Sequence, residues 1–204
     1  MPTGMEEDFN NWYNQEHLAE VTAFPGVLGA ARYEAVRSGP KHLAVYELES
    51  PKVIESDAFK NFEHSPWTQR INAPLNAANF IQNIYEMIYP AELTSELANA
   101  DFAPALQIGR MAISPQNEQE WNQWYSGVYV PNYEKVAGCI RGRRWRAYRG
   151  SPRYAVMYEF ETEKVSEYPE WLEQRDIHPD NQRMRELMTH AWGSPGIWKK
   201  TFQL

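Results

Sequence analysis

The chain has 204 residues, of which 43% are hydrophobic and 14% aromatic, and its formal net charge is −7. This acidic balance argues against nucleic acid or an anionic membrane as a partner, and a single cysteine, Cys139, excludes an intramolecular disulfide and a cysteine-based zinc cluster. No basic leader followed by an apolar run and no stretch of 18 uncharged apolar residues is present, so we expect a soluble, cytoplasmic protein without a membrane segment.

The first half of the chain alternates between helical and strand-like patterns. A stripe of apolar and aromatic residues at helical spacing predicts the first helix, and Phe24-Pro25-Gly26 ends it. Ser65-Pro66 interrupts the second helix, because proline is tolerated in a first helical turn and not inside a helix. In chain order the predicted elements are a helix over residues 7–22, strands over 27–37 and 42–49, a helix over 52–70 and a strand over 79–88.

The second half predicts the same order of elements with one more strand at its start. These elements are a strand over residues 105–114, a helix over 119–137, strands over 139–148 and 153–161, a helix over 168–190 broken near Pro179, and a strand over 196–202. The order β-α-β-β-α-β is that of a ferredoxin-like unit. We therefore predict an α+β protein with two domains, residues 1–90 and 105–204, joined by a linker over 91–104.

An internal repeat supports this division. A shift of 112 positions places Asn10-Asn11-Trp12-Tyr13 on Asn122-Gln123-Trp124-Tyr125. When residues 8–50 are aligned in this way with the second half, 11 of the 43 aligned pairs are identical. Ordinary residue frequencies would give about two or three identical pairs. A period this long indicates two whole structural units. Recurrence of the Trp-Tyr pair in both halves indicates packing against each sheet.

The first repeat lacks the N-terminal strand of the second, because its counterpart would lie before Met1. In a ferredoxin-like sheet that strand lies in the middle, and an empty position there would leave two rows of backbone donors and acceptors unpaired. Either upstream residues are missing from this sequence, or another segment or a partner chain fills the position.

Four short motifs stand out along the first half: Phe-x-x-Trp-Tyr-x-x-Glu-His over residues 9–17, Phe24-Pro25-Gly26, Arg32-Tyr33 and Val45-Tyr46-Glu47. Together they resemble the dimeric α+β barrel superfamily, most closely its EthD-like branch. The resemblance implies that the two ferredoxin-like repeats form an α+β barrel, within one chain or as a homodimer. The superfamily includes cofactor-free monooxygenases, cyclases, isomerases, dehydratases and haem enzymes, so the fold alone does not decide the function.

Two histidines are the candidate catalytic residues. His17 lies one turn after Tyr13 on the inward stripe, its counterpart is Tyr129, and imidazole is the usual proton carrier at neutral pH. The resemblance to EthD-like proteins also includes this histidine, although it could instead bond to a carbonyl or to Glu16. His64 could orient a substrate oxygen, or its turn could be a cap in which Ser65 begins the next helix.

Aromatic and basic side chains on the strands and helices form the expected substrate site. Recurring pairs, Arg32 with Glu47 and Arg144 with Glu159, are expected to neutralise one another across each hairpin, unless a substrate carboxylate replaces the glutamate. The cavity is expected to suit a flat aromatic ligand. The predicted substrate-binding residues are Tyr13, Arg32, Tyr46, Trp67, Tyr129 and Trp145.

The sequence contains no glycine-rich phosphate loop, no Gly-x-Ser-x-Gly motif and no paired metal-binding histidines. We therefore predict a cofactor-independent enzyme without a metal, acting on a small aromatic or hydrophobic carbonyl or phenolic compound by histidine acid–base chemistry. The reaction could be isomerisation, cyclisation, elimination or oxygenation. The alternatives are a non-catalytic protein that binds a hydrophobic ligand and a haem-binding protein that uses His17 or His64.

Overall fold

The computed structural model describes residues 4–76 and 80–204 and divides into two compact units. The first unit comprises Met1–Ala31, Ala44–Asn83 and Phe202–Leu204, and the second comprises Arg32–Leu43 and Ile84–Thr201. These units follow spatial contacts, whereas the predicted domains follow the sequence repeat. The boundaries at residues 90 and 105 therefore stay a prediction.

The first unit begins with one helical segment built from three pieces. These are helix α1 (Glu6–Trp12), a π-helical turn (Tyr13–His17) and helix α2 (Leu18–Thr22). The helix predicted over residues 7–22 is therefore confirmed. No strand precedes α1 in residues 4 and 5, so the described residues of the first repeat contain no counterpart to the first strand of the second repeat.

Strand β1 (Val27–Arg37) and strand β2 (His42–Leu48) follow and are divided between the two units. The helix predicted over residues 52–70 restarts at Pro66 as expected, in helix α4 (Pro66–Asn76), but its first part is a 3-10 turn (Pro51–Glu55) followed by the short helix α3 (Asp57–Lys60). Serine side chains start both helices. Ser56 Oγ accepts the N–H of Phe59, and Ser65 Oγ accepts the N–H of Thr68 at 3.0 Å, which confirms Ser65 as an N-cap.

The apolar centre of the first unit lies where α1 meets α4. Phe9 and Trp12 from α1 pack against Ile71 from α4, and each of the three side chains is at most 5% exposed. Trp12 is therefore buried as predicted, but its partner in this cluster is α4 and not a sheet. The same contact brings the α4 side chains that precede Ile71 beside the π-helical turn.

The second unit contains an antiparallel sheet. It contains β3 (Ile84–Tyr89), β4 (Ala105–Ile113), β5 (Cys139–Arg149), β6 (Tyr154–Phe160), β7 (Met188–His190) and β8 (Gly196–Gln203), of which Phe202 and Gln203 belong to the first unit. The hydrogen-bonded order is β8-β4-β6-β5-β3, and β7 pairs with the end of β4. The four strands of the second repeat thus have the 4-1-3-2 order of a ferredoxin-like unit, which confirms the predicted fold class.

Two of the predicted elements, one strand and one helix, need correction. The strand predicted over residues 79–88 begins at Ile84, and residue 79 lies outside the described residues. The helix predicted over residues 168–190 is wrong at its end, because residues 188–190 form β7 and pair with Met111, Ala112 and Ile113 of β4. Partners on β4 decide this strand, and they are too distant in sequence to affect a local periodicity.

Helices cover the sheet of the second unit and bury a large aromatic core. They are α5 (Ser95–Ala98) within the predicted linker, α6 (Glu118–Trp124), a π-helical turn (Tyr125–Tyr129), α7 (Val130–Tyr133), α8 (Pro169–Glu173) and α9 (Asn181–Glu186). The core includes Trp121, Trp124, Tyr125, Tyr129, Tyr133, Tyr158, Phe160 and Trp171. Contacts between these rings hold the helices on the sheet.

A glycine ends the first helical segment of each repeat at matched positions. Gly26 has φ +87° and Gly138 has φ +84°, and a Cβ on either would lie 2.6–2.7 Å from a methyl carbon, of Val53 or Val165 respectively. Left-handed backbone and close packing both require glycine here.

Replacing Gly138 by alanine is expected to lower the free energy of unfolding by about 2–3 kcal/mol, because backbone strain adds to overpacking. Urea denaturation measures this loss. Gly127→Ala is the control, since its φ is not positive and a methyl group added there would have no heavy atom within 4 Å. Equal stability of the two variants would contradict the prediction.

Candidate functional site

The π-helical turn of the first unit sets the geometry of the candidate site. A backbone hydrogen bond from Leu18 N–H to Tyr13 O spans five residues, which brings side chains five positions apart over one another. As a result, the His17 ring stacks on Trp12 with centroids 4.3 Å apart and planes inclined by 22°. Tyr13 meets the edge of His17 at 4.9 Å. Such turns occur often at functional sites.

Carboxylates of the same helical segment face α4. Thr68 Oγ1 donates to Glu16 Oε1 at 3.1 Å and lies 3.5 Å from Glu20 Oε2. Ser65 Oγ also donates to Glu16 Oε1. Thr68 is fully buried and accepts the indole N–H of Trp12 at 2.9 Å. An indole, two hydroxyls and two carboxylates are therefore joined in one hydrogen-bonded cluster.

The two carboxylates form no salt bridge within the part of the chain that the structure describes. Within residues 4–76 and 80–204, Glu16 and Glu20 hydrogen-bond only to hydroxyl groups and form no ion pair with lysine or arginine. Burial and the charge of Glu16 raise the pKa of Glu20, while the Thr68 hydrogen bond and the His64 imidazole lower it to a smaller extent. The cluster therefore favours retaining a proton on Glu20.

The second repeat has the same helical geometry without these charges. Trp124 Nε1 donates to Asn181 Oδ1 at 3.0 Å, and Trp124 meets Tyr129 at 4.6 Å across the second π-helical turn. Tyr129, a predicted substrate-binding residue, is 8% exposed, and its hydroxyl lies 3.3 Å from that of Tyr133. The positions of Glu16 and Glu20 are taken by Val128 and Asn132. The second repeat thus buries a packed aromatic core where the first has acid–base groups.

Three predicted residues of the first unit lie on or around the same segment. Tyr46 on β2 places its hydroxyl 3.5 Å from that of Tyr13. His64 is exposed and lies near enough to Glu20 to lower the pKa of the Glu20 carboxyl. Trp67 donates its indole N–H to Asp8 at 2.9 Å, so its polar atom is already used to join α1 to α4.

Arg32 and Trp145, the other predicted binding residues, lie on strands of the second unit. Arg32 is 4% exposed. Trp145 is half-buried, and the Arg143 guanidinium lies 5.1 Å from its ring. Nothing in the structure tests a binding role for either residue, so both stay predictions.

The predicted pair of Arg144 with Glu159 is wrong. Arg144 lies 4.5 Å from the ring of Tyr125 and donates to Ser126 Oγ at 2.7 Å, and burial lowers its pKa to about 10. Glu159 instead contacts Arg141 at 2.8 Å and Arg143 at 2.6 Å. Alternate residues of a strand point to opposite faces, so Arg141 and Arg143 share a face with Glu159 and Arg144 does not.

A cavity of about 230 Å³ lies in the second unit, between Tyr89, Glu134 and Arg141. Its lining includes none of the predicted site residues, and its volume is below that of a usual drug-sized ligand site. Glu134 is already engaged there, because it accepts the Gly142 N–H at 2.8 Å and the Tyr89 hydroxyl at 2.9 Å. We assign no substrate to this cavity.

Two properties of the described residues bear on membranes and metals. None of the helices in that part of the chain has the length and apolar character needed to cross a membrane. No three histidine, cysteine, aspartate or glutamate side chains among residues 4–76 and 80–204 converge as metal ligands.

The sequence predicts a role for His17 but does not show that Trp12, on which it stacks, hydrogen-bonds to Thr68. Thr68 is 52 positions from Glu16 along the chain, so no local pattern shows the contact. A signal was present in the repeat, since Glu16 and Glu20 stand opposite Val128 and Asn132. The two aligned helices share other residues but carry these carboxylates in the first repeat only, and this difference was the available signal for the cluster.

A scan against protein-family models and a search of curated proteins found no match. Solved structures do match. An anthrone oxidase-like protein is 14% identical with a TM-score of 0.61, covering 98% of this chain and 87% of that chain. A putative monooxygenase from Fusobacterium nucleatum subsp. nucleatum is 9% identical with a TM-score of 0.55, covering 98% and 88%. A putative chlorite dismutase is 14% identical with a TM-score of 0.57, covering 91% and 81%.

Such low identities establish the fold and leave the activity open. The EthD-like branch and the homodimer stay predictions. The chain has the mixed α+β barrel fold of these proteins.

Proposed function

We propose that the chain is a cofactor-independent enzyme that moves a proton on a small aromatic ketone or phenol, with His17 as the acid–base group. The observation that carries this proposal is the stacking of His17 on Trp12 beside Glu16, where the second repeat has only a packed aromatic core. The second repeat keeps the helix but has other side chains at these positions, which supports a catalytic role for the first repeat only.

The proposed reaction begins with proton abstraction from a carbon next to an aromatic carbonyl, or from a phenol. A flat substrate would lie against the Tyr13 ring, and His17 would take the proton because imidazole titrates near neutral pH. Negative charge then develops on the substrate oxygen. The hydroxyls of Tyr13 and Tyr46, 3.5 Å apart, or the imidazole of His64, would donate to that oxygen.

Among the reactions compatible with this step, we favour oxidation by molecular oxygen. Two of the similar structures are an anthrone oxidase-like protein and a putative monooxygenase. In such a reaction the deprotonated carbon of a methylene group bonds to O₂, the O–O bond then breaks, and the CH₂ group becomes a carbonyl with release of water. The substrate supplies both electron pairs, so no redox cofactor is needed.

Deuterium exchange tests the proton-transfer step whatever the final product is. The protein is incubated in D₂O with anthrone, with 1-naphthol derivatives and with anthraquinone, which has no exchangeable carbon-bound proton. We expect faster deuterium incorporation at the acidic carbon than in buffer alone, detected by mass spectrometry, and oxygen uptake if O₂ is the co-reactant. Anthraquinone controls for non-specific effects.

The same experiment separates the alternative functions. Binding of these compounds without exchange or product would favour a non-catalytic protein for hydrophobic ligands. A Soret band in the purified protein would favour haem binding. Light scattering during size-exclusion chromatography would show whether the chain forms a homodimer.

A further inference from the structure

Buried Thr68 of the first unit lies between two carboxylates and the indole on which His17 stacks. We infer that Thr68 transmits the protonation of Glu20 to the Trp12–His17 stack. Thr68 is thus a positioning residue for the proposed active site. This inference rests on the proposed function and names how the site would be regulated.

Hydrogen-bond counting supports the coupling. The Thr68 hydroxyl has one proton to donate and accepts the Trp12 indole N–H at 2.9 Å. Its possible acceptors are Glu16 Oε1 at 3.1 Å and Glu20 Oε2 at 3.5 Å, so it can donate fully to only one of them. Protonating either carboxylate changes which acceptor the Thr68 hydroxyl prefers. Because the same hydroxyl accepts the Trp12 indole N–H, this change also alters the hydrogen bond of Trp12.

The charges around Glu20 favour its protonated form. Arg70 of α4 is neutralised by a bidentate contact with Asp8, with N–O distances of 3.0–3.3 Å. Burial and the charge of Glu16 raise the pKa of Glu20, and the His64 imidazole lowers it to a smaller extent. No lysine or arginine of the described chain pairs with either glutamate, so no ion pair offsets the repulsion between them.

The second repeat shows the same positioning device without a titratable end. There Trp124 donates to Asn181, and the Asn181 amide in turn donates to the backbone carbonyl of Gln174 at 3.0 Å. A carbonyl oxygen cannot take up a proton in this pH range. Trp124 therefore serves as an internal reference for Trp12.

The indole N–H signals of tryptophan provide a test that uses no substrate. In uniformly ¹⁵N-tryptophan-labelled full-length protein, Trp12→Phe and Trp124→Phe assign the two signals, which are then followed from pH 4 to pH 8. We expect the Trp12 signal to shift with a midpoint above the ordinary glutamate value of 4.5 and the Trp124 signal to stay constant. Glu20→Gln should abolish the shift, and so should Thr68→Val.

Two results would overturn the inference. One is a Trp12 signal that stays constant while the Trp124 signal shows the protein to be folded. The other is a shift that persists in both Glu16→Gln and Glu20→Gln and disappears in His17→Gln or His64→Gln, which would assign the titration to a histidine. The NMR experiment does not measure turnover. Either result would therefore leave the proposed role of His17 in proton transfer untouched, and absence of proton transfer in the deuterium-exchange experiment would not contradict the coupling through Thr68.

Discussion

Replacing His17 by glutamine is expected to lower the rate of proton transfer about 100-fold or more. Glutamine retains a planar polar group that can lie on the Trp12 ring, whose centroid is 4.3 Å from that of the His17 ring in the native protein. Unlike imidazole, this group cannot take a proton near neutral pH. The fold should remain intact, because His17 is half-buried and lies outside the Phe9–Trp12–Ile71 centre. The effect is measured by deuterium exchange on whichever of the anthrone and naphthol compounds the native protein acts on.

His178→Gln is the matched control for this substitution. His178 lies in the second unit, where its Nδ1 accepts the backbone N–H of Asp180 at 3.3 Å and its side chain is 35% exposed. The same chemical change there should leave the exchange rate unaltered. An unchanged rate in His17→Gln would remove His17 from the proposed mechanism, and an equal loss in both variants would indicate a general effect on folding.

Replacing Glu159 by glutamine is expected to lower the free energy of unfolding by about 3–5 kcal/mol. The Glu159 side chain is 1% exposed, and it contacts Arg141 and the almost equally buried Arg143. Removing its charge leaves the Arg143 guanidinium without this compensation in a poorly solvated position. Urea denaturation measured at constant salt reports the loss.

An exposed ion pair on neighbouring strands provides the control. Glu86 contacts Arg146 at 3.4 Å, with side chains 40% and 49% exposed respectively, so Glu86→Gln should change stability by less than about 1 kcal/mol. Combining Glu159→Leu with Arg143→Met should recover most of the loss, because it removes both buried charges. Similar losses for Glu159→Gln and Glu86→Gln would contradict the assignment of a tightly coupled buried pair.

Local signals in the sequence correctly predicted most of the secondary structure. The helix over residues 7–22 and the hairpins in both repeats follow from periodicity. The end of the first helix follows from Gly26, and the start of α4 follows from Ser65. These features depend on backbone conformation and on side chains within a few positions. The repeat then predicted the ferredoxin-like order that the second unit confirms.

Contacts between distant segments account for the errors. Residues 188–190 become a strand because β4 offers backbone partners, and Glu159 selects Arg141 and Arg143 because strand register decides which side chains share a face. Periodicity within one segment contains neither kind of information.

The sequence by itself determined the α+β class, the duplication and the position of His17 on an inward helical stripe, because these depend on spacing along the chain. Only the tertiary structure decided what surrounds that histidine. Thr68 meets Trp12 across 56 positions and Glu16 across 52. Such contacts form when α4 packs on α1, since burying Phe9, Trp12 and Ile71 together places the hydroxyl between the indole and the carboxylates.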